Sequence, residues 1–343
     1  MRLKSMVAVL GVGMMASSIL MVGQAKKAAG HLNPMINLHE KNLGVFGVTH
    51  PAITAGRGGG GGGRGGPGAA APAAPTVAQA PPAQPSLMDA AKETMVYQLS
   101  DFEYTSYSPA NAERFMGYMA AMIAAGGSMS THPYIAKVPI VHTDPAAAQA
   151  RIIEQLNAGH AGIIMQEVET VEEVQQALAA MRFKSKGGIR PEEGFGLAAA
   201  YWGLSRAEYI AKADPWPLNP NGELILWAII ESKKGIENVR EIAKLKGVTV
   251  ITVGAGTLGG VFSSVGADGQ RVRDTAGFDA GILKIAAACK EFKVQCSHPA
   301  NNPAEVERLM GMGFNVFTMQ QRNQAAFDAV LAGRKISGRP VTP

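Results

Sequence analysis

The stretch Leu224 to Gly260, LILWAIIESKKGIENVREIAKLKGVTVITVGAGTLGG, constrains this chain more than any other. LILWAII is a continuous apolar run, the pattern of a strand buried on both faces of a parallel sheet. Glu231 ends that run, and Ile236, Val239, Ile242 and Ala243 then recur at helical spacing. VTVITV is a second buried run, rich in β-branched residues. It leads into GAGTLGG, read as a loop flexible enough for backbone to approach a ligand. Strand, helix and strand make a βαβ unit, so the two strands are parallel. Glu231 and Thr257 then emerge at the carboxyl end of the sheet, where α/β folds bind ligands.

The same alternation runs through the chain. Buried runs are read at Leu43–His50, Met95–Ser100, Tyr134–Ile140 and Ala161–Glu167. The two strands above follow, then Val294–Ser297 and Asn315–Gln320. Helical spacing separates them, at Ala110–Ala125, Pro145–Asn157, Asp279–Phe292, Pro303–Met312 and Asn323–Ala332. Thr170 with Glu173 is a capping box that opens another helix, running to about Arg182. Lys184–Gly222 reads as irregular, with one helical piece at Ser205–Ala213. Eight buried strands alternating with helices predict a single α/β domain, a (β/α)8 TIM barrel. An open doubly wound sheet is the alternative, but no G-x-G-x-x-G follows a strand to support it.

The termini and one insert stand apart. Arg2 and Lys4 precede the apolar run Met6–Val22, and Gly23-Gln24-Ala25 offers small residues for cleavage. Residues 1–25 therefore read as a signal peptide, and the protein as exported, periplasmic or extracellular. An uncleaved membrane anchor is the alternative. Residues 26–54 carry the first barrel strand. Residues 55–85, with RGGGGGGRGG and APAAPTVAQAPPAQP, bury too little apolar surface to order themselves. They read as a disordered tether or lid. Residues 86–335 hold the rest of the barrel and 336–343 a tail. The net charge of +5 is mild, so no nucleic-acid partner is expected. No stable membrane partner is expected once the signal is cleaved. Two cysteines, Cys289 and Cys296, exclude a disulfide scaffold. They are expected as free buried thiols, one on a helix and one on the next strand, with a single bridge between them in an oxidising compartment as the alternative.

Residues just past each strand should line the barrel mouth. That predicts His50; Asp101, Glu103 and Tyr104; Lys137 and His142; Glu167; Glu231; Thr257; His298; and Gln320, Gln321 and Arg322. Carboxylates and imidazoles around one mouth suit a divalent metal or acid–base chemistry. Glu231 stands out, because a carboxylate ending a fully apolar strand is costly unless paired. His132 and His160 precede strands and read as structural.

The segments DFEY, QLNAGHAGIIMQEVETVEEVQQALAAMRF and IIESKKGIENVREI…GVTVITVGAGTL resemble the HpcH/HpaI aldolase/citrate lyase family. The resemblance runs from about Leu43 to Gly333, excluding the insert and the loop near Trp216. It implies a (β/α)8 barrel in a homo-oligomer, usually a hexamer. It also implies a divalent metal (Mg, Mn or Co) and cleavage of a 4-hydroxy-2-oxo acid to pyruvate and an aldehyde. The family's strand-five Glu matches Glu231, and its strand-six metal Asp falls on Thr257. Its strand-five Gln falls on Ile229, its His on Tyr104, its strand-three Arg on Lys137 and its helix Asp on Asn157. The candidate site is therefore Glu231 and Glu167 for metal, and Tyr104, Lys137 and His298 for catalysis. Gly254, Ala255, Gly256 and Thr257 are the candidates for substrate binding. The alternative is a non-catalytic barrel of the same family that binds a small carboxylate or a protein partner.

Limited proteolysis under native conditions should cut within residues 55–85 and leave the barrel intact. Resistance of that segment at protease levels that nick other loops would show a packed element.

Overall fold

The computed structural model describes residues 30–49, 86–106 and 112–342. The predicted signal, the insert, His50 and the tip of the loop after residue 106 lie outside these residues. The barrel belongs to the unit His31–Pro343.

The described residues open with α1 (Pro34–Glu40) and β1 (Val45–Thr49), then α2 (Leu87–Val96) and β2 (Phe102–Ser106). Next come α3 (Ala112–Ala124), β3 (Tyr134–Val138), α4 (Pro145–Asn157), β4 (Gly162–Met165) and α5 (Val171–Met181). Two short helices, α6 (Ala198–Trp202) and α7 (Arg206–Lys212), lead to β5 (Ile225–Ile230). Then follow α8 (Lys233–Lys244), β6 (Val250–Val253) and α9 (Ala255–Val261). A hairpin, β7 (Ser263–Val265) and β8 (Arg271–Arg273), precedes α10 (Thr275–Phe292) and β9 (Gln295–Ala300). The chain closes with α11 (Pro303–Gly311), β10 (Val316–Met319) and α12 (Gln324–Ile336).

Eight of these strands close a barrel in the order β1-β10-β9-β6-β5-β4-β3-β2, and every pair is parallel. The expected (β/α)8 barrel is present. Alternation sorts each strand into residues that face inward and residues that face the helices. Phe102 meets Trp227 across the barrel, ring centroids 5.2 Å apart, so these two mark the inner face. Phe46 stacks on Phe317 at 5.5 Å, and a Cβ on Gly333 of α12 would strike the Phe46 ring. Those two mark the outer face.

Four expectations are corrected. Met95 and Val96 end α2 rather than open a strand, because Ala90, Ala91 and Thr94 continue one buried helical face. The second strand is FEYTS, seven residues later, and its alternate polar residues hid it from a search for apolar runs. GAGTLGG forms the short helix α9 instead of a loop. The hairpin β7–β8 was not foreseen, although Ala267-Asp268-Gly269 is a turn signal between its strands. Cys289 and Cys296 are disulfide-bonded rather than free. The chain reverses between α10 and β9, which leaves their Cα atoms 5.6 Å apart, within reach of a bridge.

The amino end of the barrel is closed by packing and buried polar groups. α1 lies across it, held where the Glu223 carboxylate accepts from the backbone N–H of Leu32 and Asn33, both at 2.8 Å. The segment read as irregular also packs there. Its Arg190 is fully buried, donates to Asn157 Oδ1 (3.0 Å) and Tyr209 Oη (2.7 Å), and lies over the Phe183 ring. His160 packs against Tyr134 and Phe115, the structural role expected of it.

Burial holds His39 neutral by lowering its pKa from 6.5 to about 3, and that of His160 to about 4. Each takes up a proton on unfolding, so the unfolded chain binds more protons below 6.5. Stability should therefore fall as pH drops from 6.5 toward 4. By roughly pH 5, His39 alone should account for a loss of about 2 kcal/mol. Neither ring nitrogen of His39 has a hydrogen-bond partner among the described residues. His39→Leu should flatten the acid slope in urea unfolding measured across pH. An unchanged slope would remove His39 from this account.

Candidate functional site

The mouth lies at the carboxyl ends of the barrel strands, and Glu231 stands directly after β5. Its Oε1 accepts the backbone N–H of Glu167 at 2.9 Å. Glu167 holds φ at 48°, a left-handed conformation uncommon outside glycine. That turn after β4 presents the Glu167 N–H to Glu231. On the other side, Gly254 closes β6 against the Glu231 side chain. A Cβ at Gly254 would lie 2.3 Å from Glu231 Cβ, so only glycine leaves room for the carboxylate.

Lys137 is the fourth residue of β3. Its Cα pairs with Ser106 on one side and Ile164 on the other, and Ile164 pairs with inward-facing Trp227. Lys137 therefore points into the barrel. Burial lowers its pKa, and the Glu231 charge partly offsets this. No hydrogen bond or ion pair engages its Nζ among the described residues. Inward-facing Tyr104 is buried and donates its hydroxyl to Met319 O at 3.2 Å. Burial raises its pKa, so it stays protonated. Glu231, Lys137 and Tyr104 are thus gathered on the inner side of one mouth. Gln166 joins them just past β4, donating to Val138 O at 2.7 Å. Sequence reading passed over it for the charged Glu167 beside it.

Other expected mouth residues lie elsewhere. Asp101 precedes β2, so it sits at the amino end, where Arg334 and Arg339 pair with it. The misplaced second strand caused that error. Glu103 and His298 occupy outward register positions. Glu103 accepts from Tyr118 Oη (2.9 Å) and pairs with Arg322 (2.8 Å), which also pairs with Glu93. His298 pairs in register with outward Phe317, and its ring meets Phe314 at 5.3 Å. It borders a groove of about 360 Å³ between α10 and α11, with Ile282, Leu283, Leu309 and Met312. His142 turns toward α5, with Nδ1 3.4 Å from Glu173. Asn157 ends α4 at the amino end, bound to Arg190. Gln320 and Gln321 are exposed past β10.

Ala255, Gly256 and Thr257 form the first turn of α9, capped by Gly254. No group of three or more His, Cys, Asp or Glu side chains could hold a metal among the described residues. Glu231 is an acid of the mouth, Glu167 meets it through its backbone N–H, and a neutral Thr257 occupies the position that the family resemblance gives to the metal aspartate. Glu231 with Thr257 does not reproduce the two-carboxylate pair that the family resemblance implies.

A closed parallel barrel with an acid and an inward amine at its carboxyl end is the architecture of a (β/α)8-barrel enzyme. A profile of the HpcH/HpaI aldolase/citrate lyase family matches residues 118–318. The chain belongs to that family, whose members are aldolases and lyases. A hydroxypyruvate/pyruvate aldolase of Paraburkholderia phytofirmans is 27% identical over 218 residues, covering 58% of this chain and 76% of that protein. One from Roseovarius nubinhibens is 25% identical, covering 56% and 73%. Among solved structures, a family protein from Burkholderia cenocepacia superposes with a TM-score of 0.60 at 17% identity, covering 84% and 92%. An aldolase from Desulfitobacterium hafniense gives 0.54 at 13%, covering 90% and 99%. At these identities the two structures speak to the fold.

Restoring the second carboxylate tests the donor set. Thr257→Asp should gain a rise in melting temperature with Mg or Mn that wild type lacks, by binding linkage. Equal shifts in both proteins would separate Thr257 from Glu231.

Proposed function

We propose that this barrel is a carbon–carbon lyase that cleaves a small 4-hydroxy-2-oxo acid to pyruvate and an aldehyde. The observation that carries the reading is the mouth of a family barrel presenting Glu231 and Lys137 together. Breaking the C3–C4 bond needs a base for the 4-hydroxyl and a positive group for charge developing at the 2-oxo end. Glu231, oriented by the Glu167 N–H, is the base. Lys137 supplies the positive group. Protonated Tyr104 can donate but not accept a proton, which makes it an orienting group. The first turn of α9, Ala255 to Thr257, offers backbone N–H groups to the substrate carboxylate.

A divalent ion, Mg, Mn or Co, is the family-level expectation, but no step here passes through one. Assembly into a homo-oligomer, a hexamer by family resemblance, and export belong to the same proposal. The leader-like residues 1–25 and the Cys289–Cys296 bridge support export, because disulfides persist in oxidising compartments.

A second reading, a carboxylate-binding barrel without turnover, draws support from Thr257 in the family's metal position. Pyruvate release across a series of 4-hydroxy-2-oxo acids separates the two. Release is expected, and Glu231→Gln should lower it by about 10²–10⁴-fold, the span of a lost acid–base group. Pyruvate binding without release from any substrate would select the second reading.

A further inference from the structure

We infer that Lys137 is a nucleophile that joins the 2-oxo carbon of the substrate as an imine. The inference rests on the lyase reading above and says how the cleavage is driven. Its basis is geometric. Lys137 projects from β3 into the barrel interior, beside inward Ile164, and feels the charge of Glu231. Its Nζ is not committed to a hydrogen bond or an ion pair among the described residues. A lysine that only neutralised a charge would be expected to sit in a closed ion pair, as Arg322 does with Glu103 and Glu93. An amine attacks a carbonyl only when neutral, and desolvation of the stem and head favours that form. The donor set that would let a metal stabilise an enolate is incomplete, since a neutral Thr257 stands in place of the second carboxylate. An iminium does the same electronic work.

The balance is complete without an outside reagent. Nζ attacks C2, the carbonyl oxygen takes one proton from the attacking nitrogen and one from solvent and leaves as water, and a protonated imine forms. Glu231 removes the 4-hydroxyl proton. The C3–C4 bond breaks, the aldehyde departs, and its electron pair becomes the C2–C3 double bond of an enamine as the iminium charge is cancelled. C3 then takes a proton. Water adds at C2, pyruvate is released and the amine returns.

The test uses the full chain with pyruvate and sodium borohydride, which reduces an iminium to a stable secondary amine. Peptide mass mapping should find one reduced pyruvate adduct, on Lys137, formed only when both reagents are present. Cleavage should persist after chelation. Lys137→Arg keeps the positive charge but cannot form the imine, so it should lose cleavage and the adduct while still binding pyruvate. Cleavage that survives Lys137→Arg, or that chelator abolishes and metal restores, overturns the imine and leaves the lyase reading standing. Absence of both cleavage and adduct overturns both.

Discussion

Everything at this site depends on the period-two alternation of parallel strands closed into a barrel. In a closed sheet each strand residue has two possible surroundings, the filled interior or the layer of helices. A one-residue step exchanges them. Lys137 and Tyr104 face inward, while Glu103, adjacent to Tyr104 in the chain, faces α2 and α3. Ser297 and Pro299 share the inward register of Val316 and Thr318, and His298 between them is turned outward. Residue type does not decide this placement; register does.

The barrel also has two unlike ends. At the amino end, charges are spent on closure. Glu223 binds the entry of α1, Asp101 is clasped by Arg334 and Arg339, and Arg190 is enclosed by Asn157 and aromatic rings. These groups are matched with partners, save for Nη1 of Arg190, which has none among the described residues. At the carboxyl end, the Lys137 amine has no hydrogen-bond or ion-pair partner among the described residues, and the Glu231 carboxylate accepts one backbone N–H and feels the lysine charge. Incomplete pairing is costly to stability and useful to chemistry, because an unengaged group can act on a substrate.

Two routes stabilise the carbanion left when a 2-oxo acid loses its aldehyde. A divalent ion can hold the enolate oxygen, or an iminium can accept the electrons. Family membership argues for the first. The residues of this mouth, with Glu231, a threonine in the family's aspartate position and a desolvated amine, suit the second. The same barrel can host either, since strand ends vary while the closed sheet persists.

The sequence by itself determined the barrel. Apolar runs such as LILWAII and VTVITV are determined by burial on both faces, and burial is a property that composition records directly. Thr170 with Glu173 likewise announced a helix, because the Thr170 side chain satisfies a local N–H group. Glu231 was legible for the same reason, an acid set against an apolar run. What only the tertiary structure decided was which neighbours each polar residue meets. Glu103 looked like a mouth acid until its strand shifted and Arg322 claimed it. Cys289 and Cys296 looked separate until the turn between α10 and β9 joined them. Gln166 and the left-handed Glu167 mattered only once β4 lay beside β5. Local pattern is set by nearest neighbours in the chain, whereas pairing and facing are set by contacts between strands far apart in it. No short window of sequence contains both partners.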